Sequence, residues 1–169
     1  MAERMTAAKP TYSESQSLPS WLPTALLVVS APSLLLVAVV LVDEYGLTLQ
    51  AEFYVTAVAV LVLGPIPLVH RAGLRTEVRD DGLWFRFVPI HRSDRHVPFE
   101  SIERVRLAER RAFQYGIQRT RWGWEYRPNA SEGVEVYRRE GPPLFLGSER
   151  PHELRTTIET GMRRSTSGD

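Results

Sequence analysis

Two imidazoles, a hydroxyl and a carboxylate crowd into one short stretch, His91-Arg92-Ser93-Asp94-Arg95-His96. Those are the side chains of a metal site or a hydrolytic triad. No nucleophile elbow accompanies them, and residues so close in sequence rarely converge as triad members do. The stretch is expected to be a polar hairpin loop, with catalysis through His91, Asp94 and His96 as the remote alternative. A second constellation sets Trp122, Trp124 and Tyr126 beside Arg119 and Arg121, as a base- or sugar-stacking platform would. Strand alternation from Gly116 to Arg127 would put the aromatics on one face and Arg119, Arg121, Glu125 and Arg127 on the other. That predicts core aromatics under a solvated arginine face, and no nucleic-acid partner. Arg110, Arg111, Arg119, Arg121 and Arg127 together form a candidate face for anionic lipid or a protein partner, each charge contributing about 1 kcal/mol near an anionic surface. A solvated face paired with nearby Glu residues is the plainer reading.

Composition narrows the chemistry further. The chain has no Cys, which removes disulfides, thiolate zinc sites and Cys nucleophiles together. A net charge of +1 conceals an uneven distribution: from Arg71 onward there are 19 Arg against 15 Asp plus Glu. Lys occurs once, at Lys9, so the basic character is that of Arg, which favours bidentate contacts with phosphate and carboxylate. No motif implies a cofactor, a metal or a small-molecule substrate, and the expectation is a protein that is not an enzyme.

The elements that must carry these residues divide the chain sharply. Residues 1–20, rich in Ser, Thr, Ala and Pro, read as a disordered tail. Two apolar runs follow, residues 21–42 and 47–69, joined by the acidic turn Asp43-Glu44-Tyr45-Gly46. At about 1.5 Å per residue, each is long enough as a helix to cross a hydrocarbon core of roughly 30 Å. The turn carries two acids and no Arg or Lys, whereas Arg4 and Lys9 precede the first run and His70, Arg71 and Arg75 follow the second. That asymmetry predicts a multi-pass protein of the cell membrane with both termini cytoplasmic. The first run is too long for a cleaved signal peptide and lacks a small-x-small cleavage site before the turn. Pro32 should kink the first helix, and Gly64-Pro65-Ile66-Pro67 should loosen the second near its end. Glu52, the only acid within either run, sits near the outer surface rather than at mid-membrane depth, so a kinked anchor is favoured over a transport path.

Residues 74–163 alternate with strand period and are punctuated by turns at close intervals. Leu74 to Arg79 leads through the Asp80-Asp81-Gly82 turn into Leu83 to Val88, where Leu83, Phe85 and Phe87 share a face. Further strands are expected around Val97, over Glu103–Glu109, Gly116–Arg127, Gly133–Arg138 and Leu144–Gly147. From Pro151 the period changes: Leu154, Ile158 and Met162 make a narrow stripe on a helix. Residues 164–169 read as a second disordered tail. About seven strands and one helix give an α+β fold, and about ninety residues suffice for one core.

The end of the chain runs Gly133-Val134-Glu135-Val136-Tyr137, then Leu144-Phe145-Leu146-Gly147-Ser148-Glu149-Arg150-Pro151-His152-Glu153-Leu154, then Ile158. With Val97-Pro98-Phe99-Glu100-Ser101-Ile102 and Tyr115-Gly116-Ile117 leading to Trp124-Glu125-Tyr126, it resembles prokaryotic membrane-anchored pleckstrin-homology-like (PH-like) proteins. The resemblance covers the chain from about residue 20 to Met162. It implies an antiparallel sandwich or partly open barrel of about seven strands with a C-terminal helix, preceded by two transmembrane helices. It implies no catalytic residue. The acidic Asp80-Asp81-Gly82 turn, taken as the first hairpin loop, would repel the phosphates that phosphoinositide-binding PH domains hold there, so headgroup recognition is not carried over. The reading is a bilayer-embedded interaction or scaffold module with a protein partner or a second copy of itself; the alternative is a regulatory subunit of a membrane enzyme or transporter.

Overall fold

The computed structural model of the chain describes residues 10–111 and 114–167. Arg4, Lys9 and the rest of residues 1–9 of the expected N-terminal tail lie outside the described residues, as do residues 168–169. The chain forms two compact units, one made of Leu18–Ala72 and the other of the segments on either side of it in sequence.

The Leu18–Ala72 unit is helical. Helix α1 (Trp21–Tyr45) is 25 residues long with a mean hydropathy of 2.8, and the stretch Leu49–His70 is 22 residues long with a mean hydropathy of 1.9. Both are long and apolar enough to cross a membrane, and of their apolar side chains only Ala51 is buried. Helices that are apolar all round and uncovered suit a hydrocarbon solvent. The expected turn at residues 43–46 lies slightly further on: α1 continues through Tyr45, ends at Gly46 with φ 67°, and the connection is Gly46-Leu47-Thr48. A positive φ is where glycine stops a helix without strain. Thr48 then caps the next helix, its hydroxyl accepting from the Ala51 N–H at 3.3 Å. The second run divides at Gly64 into α2 (Leu49–Leu63) and α3 (Pro65–His70), with Pro65 in the first turn of α3. Helix α1 passes through Pro32, and the Ser33 hydroxyl donates to the Val29 carbonyl at 3.5 Å.

The other unit holds two sheets and a helix. Strands β1 (Tyr12–Ser17), β2 (Gly73–Arg79), β3 (Gly82–Val88) and β4 (Arg95–Pro98) form an antiparallel sheet in chain order. Strands β5 (Ile102–Glu109), β6 (Gly116–Arg119), β7 (Trp124–Arg127), β8 (Glu132–Arg138) and β9 (Leu144–Gly147) form a second, in the order β5-β8-β9-β7-β6. Only the β7–β9 pair in it is parallel. The core joins Leu74, Val78, Leu83, Phe85 and Phe87 to Val134, Val136 and Leu146, and Leu154 and Ile158 of α4 (Pro151–Ser167) complete it. The result is an α+β, sandwich-like unit. Helix α4 continues through Ser167, so most of the expected C-terminal tail is helical.

The expectation of a disordered N-terminal tail is corrected by β1. Its Tyr12, Glu14 and Gln16 are buried while Ser13, Ser15 and Ser17 are exposed. It pairs with β2 in continuous register from Tyr12↔Val78 to Ser17↔Gly73. The sheet is thus assembled from residues on both sides of the two apolar helices. With β1 in place, Asp80-Asp81 is the second connection of the sheet rather than the first. It follows Arg79, at the end of β2 away from Gly73.

Candidate functional site

The His91, Asp94 and His96 side chains do not converge. His91 folds back into the core: its N–H donates to the Phe87 carbonyl at 2.8 Å, and its Nδ1 accepts from the Phe87 N–H at 3.2 Å. Its ring meets the edges of Phe85 and Tyr126. Burial, with Arg95 and Arg86 nearby, holds the imidazole below its usual pKa. His96 instead stacks on Trp84 at 4.2 Å, with Nε2 3.4 Å from the Asp81 carboxylate. Asp94 is exposed, 3.9 Å from Arg86. The polar-loop expectation fits Asp94, but His91 is a core residue. Among the described residues, no three His, Asp or Glu side chains are grouped to hold a metal ion.

The long alternation from Gly116 to Arg127 is a hairpin, not one strand. The Thr120 N–H donates to the Gly123 carbonyl at 2.8 Å, and β6 and β7 flank that turn. Chain reversal pairs Arg119 with Trp124 and Ile117 with Tyr126, so odd and even positions share a face. Arg119 therefore lies over Trp124, 5.7 Å from the ring, rather than opposite it. Tyr126 is core; Trp122 and Trp124 are half-buried. A Cβ at Gly123 would come 2.2 Å from the Pro143 carbonyl oxygen, so glycine is required for this close approach.

The predicted basic face is accordingly split. Arg127 is buried, and its guanidinium donates to the carbonyls of Gln114 and Arg111 at 2.6 and 3.0 Å. Burial lowers its pKa, with the Glu125 charge opposing. Arg110 bridges Glu125 at 3.1 Å and Glu135 at 2.6 Å, flanked by the rings of Trp122 and Phe145. Both arginines stitch the second sheet together. Arg111, Arg119 and Arg121 are exposed, the last two at the closed end of the β6–β7 hairpin and Arg111 by its open end.

A polar cluster absent from the sequence reading ties β1 to the start of α4. The buried Glu14 carboxylate accepts from Gln16 Nε2 at 2.9 Å, Ser148 Oγ at 2.6 Å and the Glu149 N–H at 2.7 Å, and also from the Tyr12 hydroxyl. Burial and that carboxylate raise the Tyr12 pKa. The signal was present in the strict alternation of larger residues with serine through Tyr12-Ser13-Glu14-Ser15-Gln16-Ser17. A groove of about 410 Å³ also runs beside α4, floored by Val78, Phe99 and Gly161 and rimmed by Thr156, Thr160 and Arg164.

No family model matches the chain, and none of the curated proteins matches it either. What the fold defines is a class: an α+β, sandwich-like domain into which two helices of membrane-spanning length and polarity are threaded between its first and second strands.

Proposed function

We propose that this protein is a bilayer-anchored interaction module: a two-helix hairpin crosses the membrane and returns to a PH-like domain that holds partners without catalysing a reaction. The observation that carries this reading is the β1–β2 pairing. Ser17 and Gly73 are register partners, yet the apolar helices lie between them in sequence. A sheet cannot form through a bilayer, so a spanning hairpin must return to the side it left. The acidic Asp43-Glu44 and the basic Arg71 and Arg75 favour the cytoplasm as that side. The PH-like assignment draws support from topology. Without the β6–β7 hairpin, the sheets reduce to a four-stranded and a three-stranded antiparallel meander followed by a helix. The exposed Arg111, Arg119 and Arg121 are what remains of the basic face for an acidic partner.

Single cysteines introduced at the exposed positions Ser13, Gly46 and Glu140 test the arrangement in intact cells. An impermeant maleimide should label Gly46→Cys from outside, and should reach Ser13→Cys and Glu140→Cys only after lysis. Labelling of Ser13→Cys and Glu140→Cys from opposite sides would overturn the proposal.

A further inference from the structure

The sheet places one loop where the chain meets the apolar helices. Strand β3 runs back toward the start of β2, and Val88 is the register partner of Gly73, itself the partner of Ser17. Three Cα steps separate Gly73 from His70, the last residue of α3, a reach of at most about 11 Å at 3.6 Å per residue. Register partners on neighbouring antiparallel strands are about 5 Å apart. Covalent geometry alone therefore keeps the segment after Val88 within about 16 Å of His70. The headgroup layer on each side of a bilayer is roughly 5–8 Å deep.

The same loop carries the exposed apolar surface of the domain. Among its described residues the exposed large apolar side chains are Val88, at 36%, and Ile90, at 63%. Pro89 between them is exposed too, while His91 turns inward and anchors the loop to Phe87. Arg92 and Arg95 follow on the exposed side, and Arg75 extends from β2 with its side chain 65% exposed. Asp94 offsets part of this charge, and Arg75 is paired with Glu77 at 2.5 Å. An apolar tip beside arginines matches the two layers of a membrane surface, acyl boundary and anionic headgroups.

We infer that Val88-Pro89-Ile90 inserts into the bilayer interface beside the spanning helices, with Arg92 and Arg95 meeting anionic headgroups. The occupant is lipid rather than a protein partner, because the tether keeps the loop within reach of the bilayer and its apolar tip beside arginines matches the layers of a membrane surface. The inference rests on the membrane-spanning reading proposed above.

The absence of native cysteines permits the test on the full chain reconstituted in phosphatidylcholine–phosphatidylglycerol vesicles. An environment-sensitive NBD label would be placed singly at Ile90→Cys, at Asp80→Cys on the far turn, and at Leu36→Cys within α1. With nitroxide carried on the lipid acyl chains, the Ile90 and Leu36 labels should be blue-shifted and lose fluorescence, and the Asp80 label should do neither. A quenched Leu36 label beside an Ile90 label that behaves like Asp80 would overturn the loop insertion alone. A blue-shifted Ile90 label that lipid nitroxide does not quench would mean that protein covers the loop, which also overturns it. An unquenched Leu36 label would overturn the spanning reading and the insertion together.

Discussion

Because β1 precedes the apolar helices, residues 73–167 alone should not fold, although they contain nearly all the recognisable strand pattern. Removing β1 deletes the buried Tyr12, and losing a buried aromatic side chain costs about 3–5 kcal/mol. It also removes the Glu14 carboxylate from Ser148 Oγ and the Glu149 N–H. Each orphaned donor costs about 1–3 kcal/mol. The total, about 5–11 kcal/mol, approaches the entire stability of a typical domain, about 5–15 kcal/mol. It leaves β2 as an open, aggregation-prone edge as well. Ser17 and Gly73 are register partners, so an Asn-Gly link in place of residues 18–72 should turn β1 and β2 into an ordinary hairpin. The joined chain should be soluble, rich in β-structure and cooperative in urea, followed by circular dichroism and tryptophan fluorescence. Residues 73–167 alone should aggregate or unfold without a transition. Equal urea midpoints for the two would mean that β1 contributes nothing to stability.

Other consequences are read on the same joined domain. Arg127→Met should destabilise it by about 2–4 kcal/mol, because the carbonyls of Gln114 and Arg111 lose their charged donor. Reversing the exposed Arg119 and Arg121 to Glu should change stability by less than about 0.5 kcal/mol. Gly161→Ala should destabilise, although alanine favours a helix over glycine by about 1 kcal/mol. The added Cβ would sit 2.1 Å from Phe99 Cζ, and a rise in urea midpoint would contradict that packing. The His91 imidazole has a folded pKa below its unfolded value, so the unfolded chain binds the extra proton first. The His91 contribution to stability should therefore fall as pH drops below about 6.5 toward the folded pKa, and should be level above that range. His91→Asn should flatten this component of the pH profile, as judged by urea midpoints.

The apolar runs, the β2–β3 hairpin and the α4 stripe were legible in the sequence because each repeats one simple period. Leu83, Phe85 and Phe87 alternate inward as expected, and Leu154 and Ile158 are buried at the expected spacing. Strand β1 was not legible because its inward residues are polar. Tyr12, Glu14 and Gln16 hydrogen-bond with one another and with Ser148 instead of forming an apolar stripe. The β6–β7 hairpin was hidden by an alternation that continues through the turn, so parity assigned Arg119 and Trp124 to opposite faces when reversal puts them on one. Arg127 and Glu125 looked like surface residues by type. Their burial depends on backbone carbonyls and on Arg110, partners that only the folded chain supplies. Nothing local to His91 distinguishes it from its exposed neighbours, since its inward turn is set by two hydrogen bonds back to Phe87.

In the proposed arrangement one sheet joins residues on the two sides of a membrane hairpin, and a disulfide across β1 and β2 probes that pairing in place. Ser15 and Arg75 are register partners and both are exposed. Directly opposed antiparallel residues lie about 4.5–5.5 Å apart, within the range a disulfide bridges. In the full-length membrane-embedded protein, Ser15→Cys with Arg75→Cys should cross-link under mild oxidation. The two pieces should then stay joined after cleavage at a protease site built into the Gly46–Thr48 turn. Ser13→Cys with Arg75→Cys, two residues out of register, should cross-link far less. Pieces that separate from the Ser15–Arg75 pair after cleavage, or an offset pair that links as readily, would contradict the account.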